Sequence, residues 1–381
     1  MKKILFLFGT RPEAIKLAPL IARFSGDERF DVRVGVTAQH REMLDQVLDF
    51  FEIDVDYDLN IMTHNQTLHQ LTADLISRIT NEILLKEDFD FVFVQGDTTT
   101  VMASALAAFY QKIKIVHIEA GLRSHDMHSP FPEEMNRVLT SRLADYHFCP
   151  TETGRLYLNA EKLHKNVYVV GNTVIDALFE GLRKFDASDE ERLIKKYCQI
   201  DFNKKIIFVT CHRRENFGEP FREICESLLE IVATQKNIQI VYAVHLNPNI
   251  RDVAYNTLVD ENIILIPPLA YAELIWMINK SYIVLTDSGG IQEEAPSLGK
   301  PVLVMREVTE RMEGVTAGTA VLVGSDKQKI VGETAKLLND FAYYSEISTA
   351  SNPYGDGTAC EQIKNIIVEK EIGLYLPDVS V

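Results

Sequence analysis

Residues 281–294 read Ser-Tyr-Ile-Val-Leu-Thr-Asp-Ser-Gly-Gly-Ile-Gln-Glu-Glu, an apolar run that breaks into small residues and then opens a helix. A strand, a turn and a helix in this order form a place where α/β proteins hold anions. Ser288, Gly289 and Gly290 would let a phosphate approach backbone N–H groups at the positive end of the helix. Glu293 and Glu294 are suited to accept hydrogen bonds from ribose hydroxyls, although acids there also complement the helix dipole. Because Gly-Gly turns are common, this stretch alone does not decide between a nucleotide site and an ordinary turn.

A second loop of the same kind lies near the start of the chain. The apolar run at 3–8 is followed by Gly-Thr-Arg-Pro-Glu-Ala-Ile-Lys at 9–16, and then by apolar residues at helical spacing. Pro12 fits the first turn of a helix, and Arg11 and Lys16 place two cations near that helix start. The spacing matches neither a Walker A loop nor G-x-G-x-x-G, so it disfavours ATP and NAD. An ordinary βα loop with solvated charges is the alternative.

Short apolar runs alternate with helical patterns along the whole chain, which predicts parallel sheets covered by helices on both faces. Strands are predicted at 3–8, 32–36, 91–94, 113–118, 146–148, 167–170, 206–210, 238–244, 263–266, 282–285 and 301–304, and helices include 66–86 and 99–110. We therefore predict an α/β fold of two doubly wound, Rossmann-like domains that face a central cleft.

The domain boundaries are predicted from a change in pattern. The polar stretch 185–192 interrupts the alternation, so we predict an N-terminal domain at 1–184 and a second domain at 185–356. A final helix within 357–381 is expected to cross back and complete the first domain. In open α/β sheets, ligands bind beyond the carboxyl ends of the strands, where both glycine loops fall.

Composition excludes several classes of protein. The formal net charge of −16 argues against nucleic acid or an anionic membrane surface as a partner. Five scattered cysteines without C-x-x-C fit a reducing cytoplasm and neither a zinc site nor a disulfide framework. The apolar start is too brief for a signal peptide, and no run nears the roughly 20 residues that span a bilayer. No metal ligand cluster or cofactor motif is present.

Three acids follow or precede predicted elements of the first half. Asp97, in Gln-Gly-Asp after a strand, is a candidate acid or base, although an Asp there more often caps the next helix. Glu119 directly follows an apolar strand, where burial would raise its pKa towards the acid–base range. Glu133 opens a Pro-braced helix and, taken alone, is better explained as complementing the dipole. Arg123 and Arg137 would supply counter-charges.

The second half offers His212-Arg-Arg at a strand end, a set suited to bind and protonate a pyrophosphate. His245 is a similar strand-end histidine, with a weaker claim because no arginines adjoin it. Arg306 and Arg311 follow another strand and are expected to reach the same region.

Together these segments resemble the non-hydrolysing bacterial UDP-N-acetylglucosamine 2-epimerases. The matching stretches are 8–16, 37–46, 96–100, 117–123, Pro-Glu-Glu-Met-Asn-Arg at 132–137, 171–177, His-Arg-Arg-Glu-Asn at 212–216, 286–299 and 352–357. The resemblance covers nearly the whole chain in order. It implies a glycosyltransferase-B-like fold, a homodimer and interconversion of UDP-GlcNAc with UDP-ManNAc. The family's route is anti elimination of UDP to 2-acetamidoglucal followed by syn re-addition, and its products supply surface polysaccharides.

The resemblance also assigns residues. Asp97, Glu119 and Glu133 take the places of the family's acid–base carboxylates, and His212 that of a residue assisting the leaving diphosphate. Substrate-binding positions are Arg11, Lys16, Arg137, His245, Ser288, Gly289, Gly290, Glu294 and Arg311. Gln39, Glu134 and Arg213, with His245, match a pocket in which some members bind a second UDP-GlcNAc as an allosteric activator.

The chain departs from the family at one point: residues 306–313 read Arg-Glu-Val-Thr-Glu-Arg-Met-Glu, with Met312 where the family usually has proline. The change frees φ at 312 and removes a restriction on Arg311. The sequence also allows three alternative functions: a hydrolysing epimerase, a glycosyltransferase of the same fold, and a non-catalytic UDP-sugar sensor.

Overall fold

Each of two units in the chain is built on its own parallel β-sheet. In the computed structural model, residues 1–37, 41–61 and 66–373 are described. Unit 1 comprises Met1–Glu180 with Tyr354–Val381, and unit 2 comprises Gly181–Pro353. Residues after 353 thus belong to the same unit as the first strands. Within the described residues, no helix is long and apolar enough to cross a membrane.

The sheet of unit 1 has seven strands. They are β1 (Lys2–Phe8), β2 (Phe30–Val36), β3 (Tyr57–Asp58), β4 (Phe91–Gln95), β5 (Lys114–Ile118), β6 (Tyr146–Cys149) and β7 (Val167–Val169). Their order is β3-β2-β1-β4-β5-β6-β7, and all pairs are parallel. The chain reverses its direction of travel across the sheet between β1 and β4, which is the switch point where open α/β sheets bind ligands.

Helices cover the sheet of unit 1 because apolar residues recur along them at helical spacing. They are α1 (Arg11–Ser25), α2 (Arg41–Phe51), α3 (Leu68–Ile79), α4 (Thr99–Tyr110), α5 (Glu133–Leu143), α6 (Glu152–Ala160) and α7 (Thr173–Arg183), with a π-helical segment at Thr80–Leu84 after α3. The core under α1 contains Phe6, Phe24 and Phe93, whose rings are 4.8–6.0 Å apart. Burying each phenyl ring stabilises the unit by roughly 1.5–3 kcal/mol.

Unit 2 repeats the architecture with six strands. They are β8 (Lys205–Cys211), β9 (Ile238–Val244), β10 (Ile263–Ile266), β11 (Ile283–Thr286), β12 (Val302–Val304) and β13 (Ala320–Leu322). The order β10-β9-β8-β11-β12-β13 places the switch point between β8 and β11. The helices are α8 (Ala187–Lys196), α9 (Glu219–Thr234), α10 (Pro248–Thr257), α11 (Tyr271–Lys280), α12 (Gly289–Glu294), α13 (Met312–Thr316), α14 (Lys327–Asn339) and α15 (Phe341–Ser348), with 3-10 segments at Arg214–Asn216 and Ala295–Leu298.

The last helix, α16 (Ala359–Ile372), packs against α1 in unit 1. The backbone N–H of Cys360, in its first turn, donates to the buried carboxylate of Asp176 on α7 at 2.9 Å. Asp176 therefore satisfies a backbone group at the start of α16, where Thr358 makes no side-chain capping bond.

The structure differs from the sequence predictions in two places. The stretch 185–192, predicted as a connection, begins α8 instead, and the Asp186 carboxylate caps it by accepting from the N–H groups of Ser188 and Asp189. Strands β3 and β13, of two and three residues, were not predicted.

Candidate active site

The loops after β1, β4 and β5 lie side by side, because these strands are neighbours in the sheet of unit 1. Glu119 is the first residue after β5, and its φ of 61° is in the left-handed region. A residue other than glycine adopts this conformation only at an energetic cost. Residues strained in this way are often found at functional sites.

The Glu119 carboxylate lies in a polar setting within unit 1. Its Oε2 accepts hydrogen bonds from Lys16 Nζ and Gln95 Nε2, and 9% of its side-chain surface is exposed. Lys16 comes from α1 and Gln95 ends β4, so one carboxylate joins three elements. A buried carboxylate needs such partners because desolvation of an unpaired charge is costly.

Asp97 has a pKa well above the ordinary value for an aspartate. Burial raises its pKa to about 6, the Glu119 and Glu133 carboxylates add to the rise, and Arg137 and Lys16 oppose it. Arg137 Nη1 lies 3.3 Å from Asp97 Oδ2, and 32% of the Asp97 side chain stays exposed. A carboxyl group with this pKa can both accept and release a proton near neutral pH.

The alternative function for Asp97, capping the next helix, is not observed. Thr98 is the N-cap of α4, and its hydroxyl accepts from the N–H of Val101. The carboxylate of Asp97 is therefore not needed to begin the helix.

Each residue of the loop at 96–98 is held by a different buried side chain. His117 Nε2 lies 2.8 Å from the carbonyl oxygen of Gly96, and Asn136 Nδ2 donates to the carbonyl oxygen of Asp97 at 2.9 Å. Thr98 Oγ1 donates to Glu13 Oε1 at 2.6 Å. Burial lowers the pKa of His117 to about 4, so the ring is neutral and donates through Nε2. These contacts fix the backbone that carries Asp97.

Glu13 is a residue whose role sequence reasoning missed. It forms a capping box with Thr10 at the start of α1, and its Oε2 accepts from the N–H groups of Gly9 and Thr10 at 3.0 and 2.7 Å. Only 2% of its surface is exposed. The Thr-x-x-Glu spacing is the signal that could have identified the box. Arg11, the first residue of α1, is half-buried on the same loop.

At the start of α5, the two adjacent acids have different surroundings. Glu133, the first helical residue, is half-buried and contributes to the raised pKa of Asp97. Glu134 is 1% exposed and accepts from the N–H groups of Ser124 and His125, each at 3.0 Å. Its Oε2 also lies 2.8 Å from Arg137 Nε. Glu134 thus secures Arg137 and the loop before α5.

Arg123 does not supply a counter-charge to the acids. Its guanidinium donates to both carboxylate oxygens of Glu161, at 2.6 and 3.2 Å, and to Ser141 Oγ. Unit 1 therefore brings together five predicted site residues: Lys16, Asp97, Glu119, Glu133 and Arg137. Gln39 lies outside the described residues.

In unit 2, the loops after β8 and β11 are joined by Asp287, which was not predicted as a site residue. Its carboxylate is fully buried, and Oδ2 accepts from the N–H groups of His212 and Arg213, both at 2.8 Å. Asn216 Nδ2 donates to the same oxygen at 3.0 Å. Burial opposes ionisation, but the His212 side chain and these backbone donors outweigh it and hold the pKa of Asp287 at about 2.

His212 and His245 stack on one another within unit 2. Their ring centroids are 5.9 Å apart with an interplanar angle of 28°. His212 Nδ1 lies 3.1 Å from Asp287 Oδ1, and 39% of the His212 side chain is exposed. Burial and the neighbouring His212 ring lower the pKa of His245. The predicted site residues His212, Arg213 and His245 thus adjoin Asp287, one residue before Ser288.

The strand, turn and helix predicted around Ser288 are present. Ser288 is the N-cap of α12, and the helix begins at Gly289 and continues into the 3-10 segment. The Arg311 guanidinium lies against Gly289, since a Cβ placed there would be 3.5 Å from Arg311 Cζ. A cation and the first N–H groups of a helix therefore occupy the same place, which suits a phosphate.

The two acids in α12 have separate roles. Glu293 Oε1 accepts from Arg311 Nε at 2.8 Å, whereas Glu294 Oε1 accepts from the Tyr271 hydroxyl at 3.1 Å. Thr309 also donates to Gln292, at 2.7 Å, so the loop before α13 is anchored to α12 twice.

The segment that connects β12 to α13 contains Arg306 and Arg311. Met312 begins α13, and Arg311 precedes it with a ψ of 47°. Arg306 pairs at 2.6 Å with Glu215, which lies in the segment that contains His212.

The two loop sets are suited to different chemistry. Unit 1 offers the Asp97 carboxyl group, which can exchange a proton near neutral pH, beside the Glu119 and Glu133 carboxyl groups and two cations. Unit 2 offers backbone donors, an arginine and a histidine that suit a phosphate or diphosphate.

Comparison with known proteins identifies the family. Residues 22–368 match the family model described as UDP-N-acetylglucosamine 2-epimerase. The UDP-N-acetylglucosamine 2-epimerase of Escherichia coli (strain K12) is 53% identical over 376 residues, which are 98% of this chain and 100% of the relative. The relative from Campylobacter jejuni with the same name is 50% identical, over 97% of this chain and 98% of its own length.

A solved structure agrees with these relatives. The crystal structure of UDP-GlcNAc 2-epimerase from Neisseria meningitidis bound to UDP-GlcNAc has a TM-score of 0.88 and 47% identity, covering 97% of this chain and 100% of that chain. The glycosyltransferase-B-like fold predicted from the sequence is confirmed. From near-complete coverage at this identity, the chain belongs to the UDP-N-acetylglucosamine 2-epimerase family, in its non-hydrolysing bacterial branch, and is an isomerase.

Proposed function

We propose that the chain interconverts UDP-GlcNAc and UDP-ManNAc by anti elimination of UDP to 2-acetamidoglucal, followed by syn re-addition. The observation that carries this mechanism is the carboxyl cluster of unit 1, in which the pKa of Asp97 is raised to about 6 beside Glu119 and Glu133. Inversion at C2 needs a group that removes a proton and a group that returns one to the other face. Adjacent carboxyl groups, of which Asp97 has a raised pKa, suit that task.

The elimination route follows from the chemistry of the sugar. The C2 proton has no adjacent carbonyl, so direct removal is unfavourable. Breaking the C1–O bond first builds positive charge at C1 and acidifies C2–H. An enzyme for this reaction must stabilise the departing diphosphate and hold a carboxylate at C2.

In this mechanism, unit 1 supplies the proton-transfer groups. Asp97 and Glu119 are the acid–base pair, with Glu133 beside them, and Lys16 and Arg137 support their charges. Lys16 bonds Glu119, and Arg137 lies 3.3 Å from Asp97, so each acid has its own cation. Each cation offsets part of the repulsion that would arise if both carboxyl groups were ionised.

Unit 2 supplies the groups for UDP. Gly289 and Gly290 admit a phosphate to the start of α12, Arg311 adds a positive charge, and Glu294 accepts from the ribose. His212 assists the leaving diphosphate. The Neisseria meningitidis relative, solved with UDP-GlcNAc bound, supports this nucleotide sugar as the substrate.

The deciding experiment incubates the protein with UDP-GlcNAc in D2O and follows the sugar by proton NMR. We expect deuterium at C2 and formation of UDP-ManNAc, with the same equilibrium mixture reached from either sugar. Release of free ManNAc and UDP would indicate the hydrolysing reaction instead. Tight binding without deuterium at C2 would contradict the mechanism and support a sensor.

We further propose a cytoplasmic homodimer that supplies N-acetylmannosamine units for a surface polysaccharide. The unpaired cysteines suit a reducing compartment. Phe109 and Tyr110 at the end of α4 are 53% and 64% exposed, and an exposed aromatic pair of this kind suits a subunit interface. Light scattering after gel filtration tests the dimer: a mass near twice 43.2 kDa is expected, and 43.2 kDa would contradict it.

A further inference from the structure

Asp287 carries a buried carboxylate that has no role in the mechanism proposed above. Its two oxygens have different surroundings. Oδ2 accepts three hydrogen bonds, from the N–H groups of His212 and Arg213 and from Asn216 Nδ2. Oδ1 faces His212 Nδ1 at 3.1 Å. The backbone bonds fix the carboxylate, and its remaining oxygen, which makes no hydrogen bond within the described residues, lies within ion-pair distance of one imidazole nitrogen.

This geometry favours one tautomer of His212. Asp287 is ionised at neutral pH, since its pKa is held at about 2, and an ionised carboxylate 3.1 Å from Nδ1 favours a proton on that nitrogen. Nε2 is then the nitrogen that faces away from Asp287. The His245 ring, stacked at 5.9 Å, restricts the plane of the imidazole. The exposed 39% of the His212 side chain leaves it accessible.

We propose that Asp287 is a positioning residue that holds His212 with Nδ1 protonated, so that imidazolium Nε2–H donates to the leaving diphosphate. The inference deepens the proposed function and rests on it. In elimination, the C2–H electron pair becomes the C1=C2 double bond as a carboxylate takes the proton. The C1–O pair moves to the diphosphate oxygen, which receives the proton from Nε2. Re-addition returns that proton to Nε2.

The charged and titratable groups near His212 come from three strands. Asp287 follows β11, Cys211 ends β8 and precedes His212 and Arg213, and His245 follows β9. Of these, Asp287 carries the negative charge, so it is the group that stabilises an imidazolium. The neutral His245 ring adds no like charge.

Asp287→Asn tests the proposal because its side chain separates the two roles of the aspartate. Asn Oδ1 can still accept from the N–H groups of His212 and Arg213, but its Nδ2 donors would face His212 Nδ1. The ring must then accept at Nδ1 and carry its single proton on Nε2, and the imidazolium is disfavoured. We expect kcat to fall about 10²–10³-fold, with KM and the affinity for UDP changed less than about threefold.

Two further measurements distinguish positioning from a purely structural role. In a double-mutant cycle, His212→Asn with Asp287→Asn should be about as slow as His212→Asn alone, because each removes the same proton donor. Full additivity would overturn the proposal. As a matched control, Asp176→Asn neutralises another buried aspartate that accepts a backbone N–H, and it should leave kcat within about twofold.

The tautomer can also be read without turnover. In protein labelled with 15N-histidine, long-range 15N–1H spectra should show His212 protonated at Nδ1, with its signal assigned by its loss in His212→Asn. An unprotonated Nδ1 in the natural sequence at neutral pH would overturn the inference, even if Asp287→Asn failed to fold. Because this spectrum needs no substrate, its outcome is independent of the D2O exchange that tests the epimerisation mechanism.

Discussion

Asp97 in unit 1 and Asp287 in unit 2 occupy equivalent places in two similar sheets, yet their ionisation is shifted in opposite directions. Each follows the strand across the switch point, β4 in one sheet and β11 in the other. Burial acts against the charge of both. The pKa of Asp97 is about 6, whereas that of Asp287 is about 2.

The neighbours explain the difference. Glu119 and Glu133 add negative charge around Asp97, and Arg137 and Lys16 offset this only in part. Around Asp287, His212 and backbone N–H groups stabilise the anion directly. Position in the fold therefore brings a carboxyl group to the ligand edge, and the donors around it decide between proton transfer and a fixed charge.

The largest effect is expected from removing the proton-transfer groups of unit 1. Asp97→Asn and Glu119→Gln should each lower kcat by about 10²–10⁴-fold, since each removes an acid–base group. UDP binding, assigned to unit 2, should change little. Steady-state kinetics with UDP titration calorimetry would check both, and near-normal turnover in either variant would remove that residue from the mechanism.

The pH dependence of stability should have opposite signs at the two aspartates. The folded pKa of Asp97 is above its ordinary 3.8, so its contribution is complete below about 4 and is lost as pH rises through 6. Asp97→Asn should therefore gain stability relative to the natural sequence between pH 4 and 7.5.

Asp287 should behave in the reverse manner. Its pKa is lowered from 3.8 to about 2, so its contribution of about 2 kcal/mol is present above pH 4 and is lost as pH falls through 2. The deficit of Asp287→Asn should thus stay constant between pH 4 and 7.5. Urea unfolding at several pH values would measure both differences, and parallel curves for the two variants would contradict the contrast.

A smaller effect is expected at the phosphate loop, where stability and affinity should move in opposite directions. An alanine Cβ at Gly290 would meet only Glu294 Oε2, at 3.7 Å, so Gly290→Ala should stabilise α12 by about 0.5–1 kcal/mol. It should also weaken UDP binding about tenfold by blocking the phosphate's approach to the backbone.

The matched control is Gly332→Ala in α14, where an added Cβ meets nothing within 4 Å. It should give the same stabilisation without loss of affinity. Unchanged UDP affinity in Gly290→Ala would show that the nucleotide does not approach this backbone.

The smallest effect is expected at the departure from the family pattern. Met312→Pro places proline at the first position of α13, which a helix tolerates, but it disfavours the ψ of 47° at Arg311. We expect UDP affinity to change less than about threefold, because Glu293 still holds the guanidinium. A loss above tenfold would show that the backbone at 311 sets the position of this arginine.

Much of the framework could be predicted from the sequence because its signals are local. The apolar runs that became β1, β4, β8 and β11 stand directly before the glycine- and charge-bearing loops, so the sheet rule placed those loops at the ligand edge. Helix α4 was predicted with its observed bounds, Thr99–Tyr110. In contrast, α8 was read as a connection because its acidic composition hid the cap at Asp186.

The supporting residues could not be predicted, because their roles depend on distant partners. Glu13 bonds Thr98, 85 positions away, and Asp287 bonds His212, 75 positions away. Nothing near Asn136 in the sequence indicates that its amide holds the carbonyl of Asp97. For the same reason, Arg123 was predicted to be a counter-charge for the site acids, whereas it pairs with Glu161.

Because α16 belongs to unit 1, the two units are completed in a fixed order during translation. Unit 2 is one continuous stretch, so all of its strands are translated before α16. The sheet of unit 1, synthesised first, still lacks the helix that packs on α1 and receives the Asp176 carboxylate. The half of the molecule that is started first is therefore finished last, and until then the surface of α1 stays open to solvent and to other newly made chains.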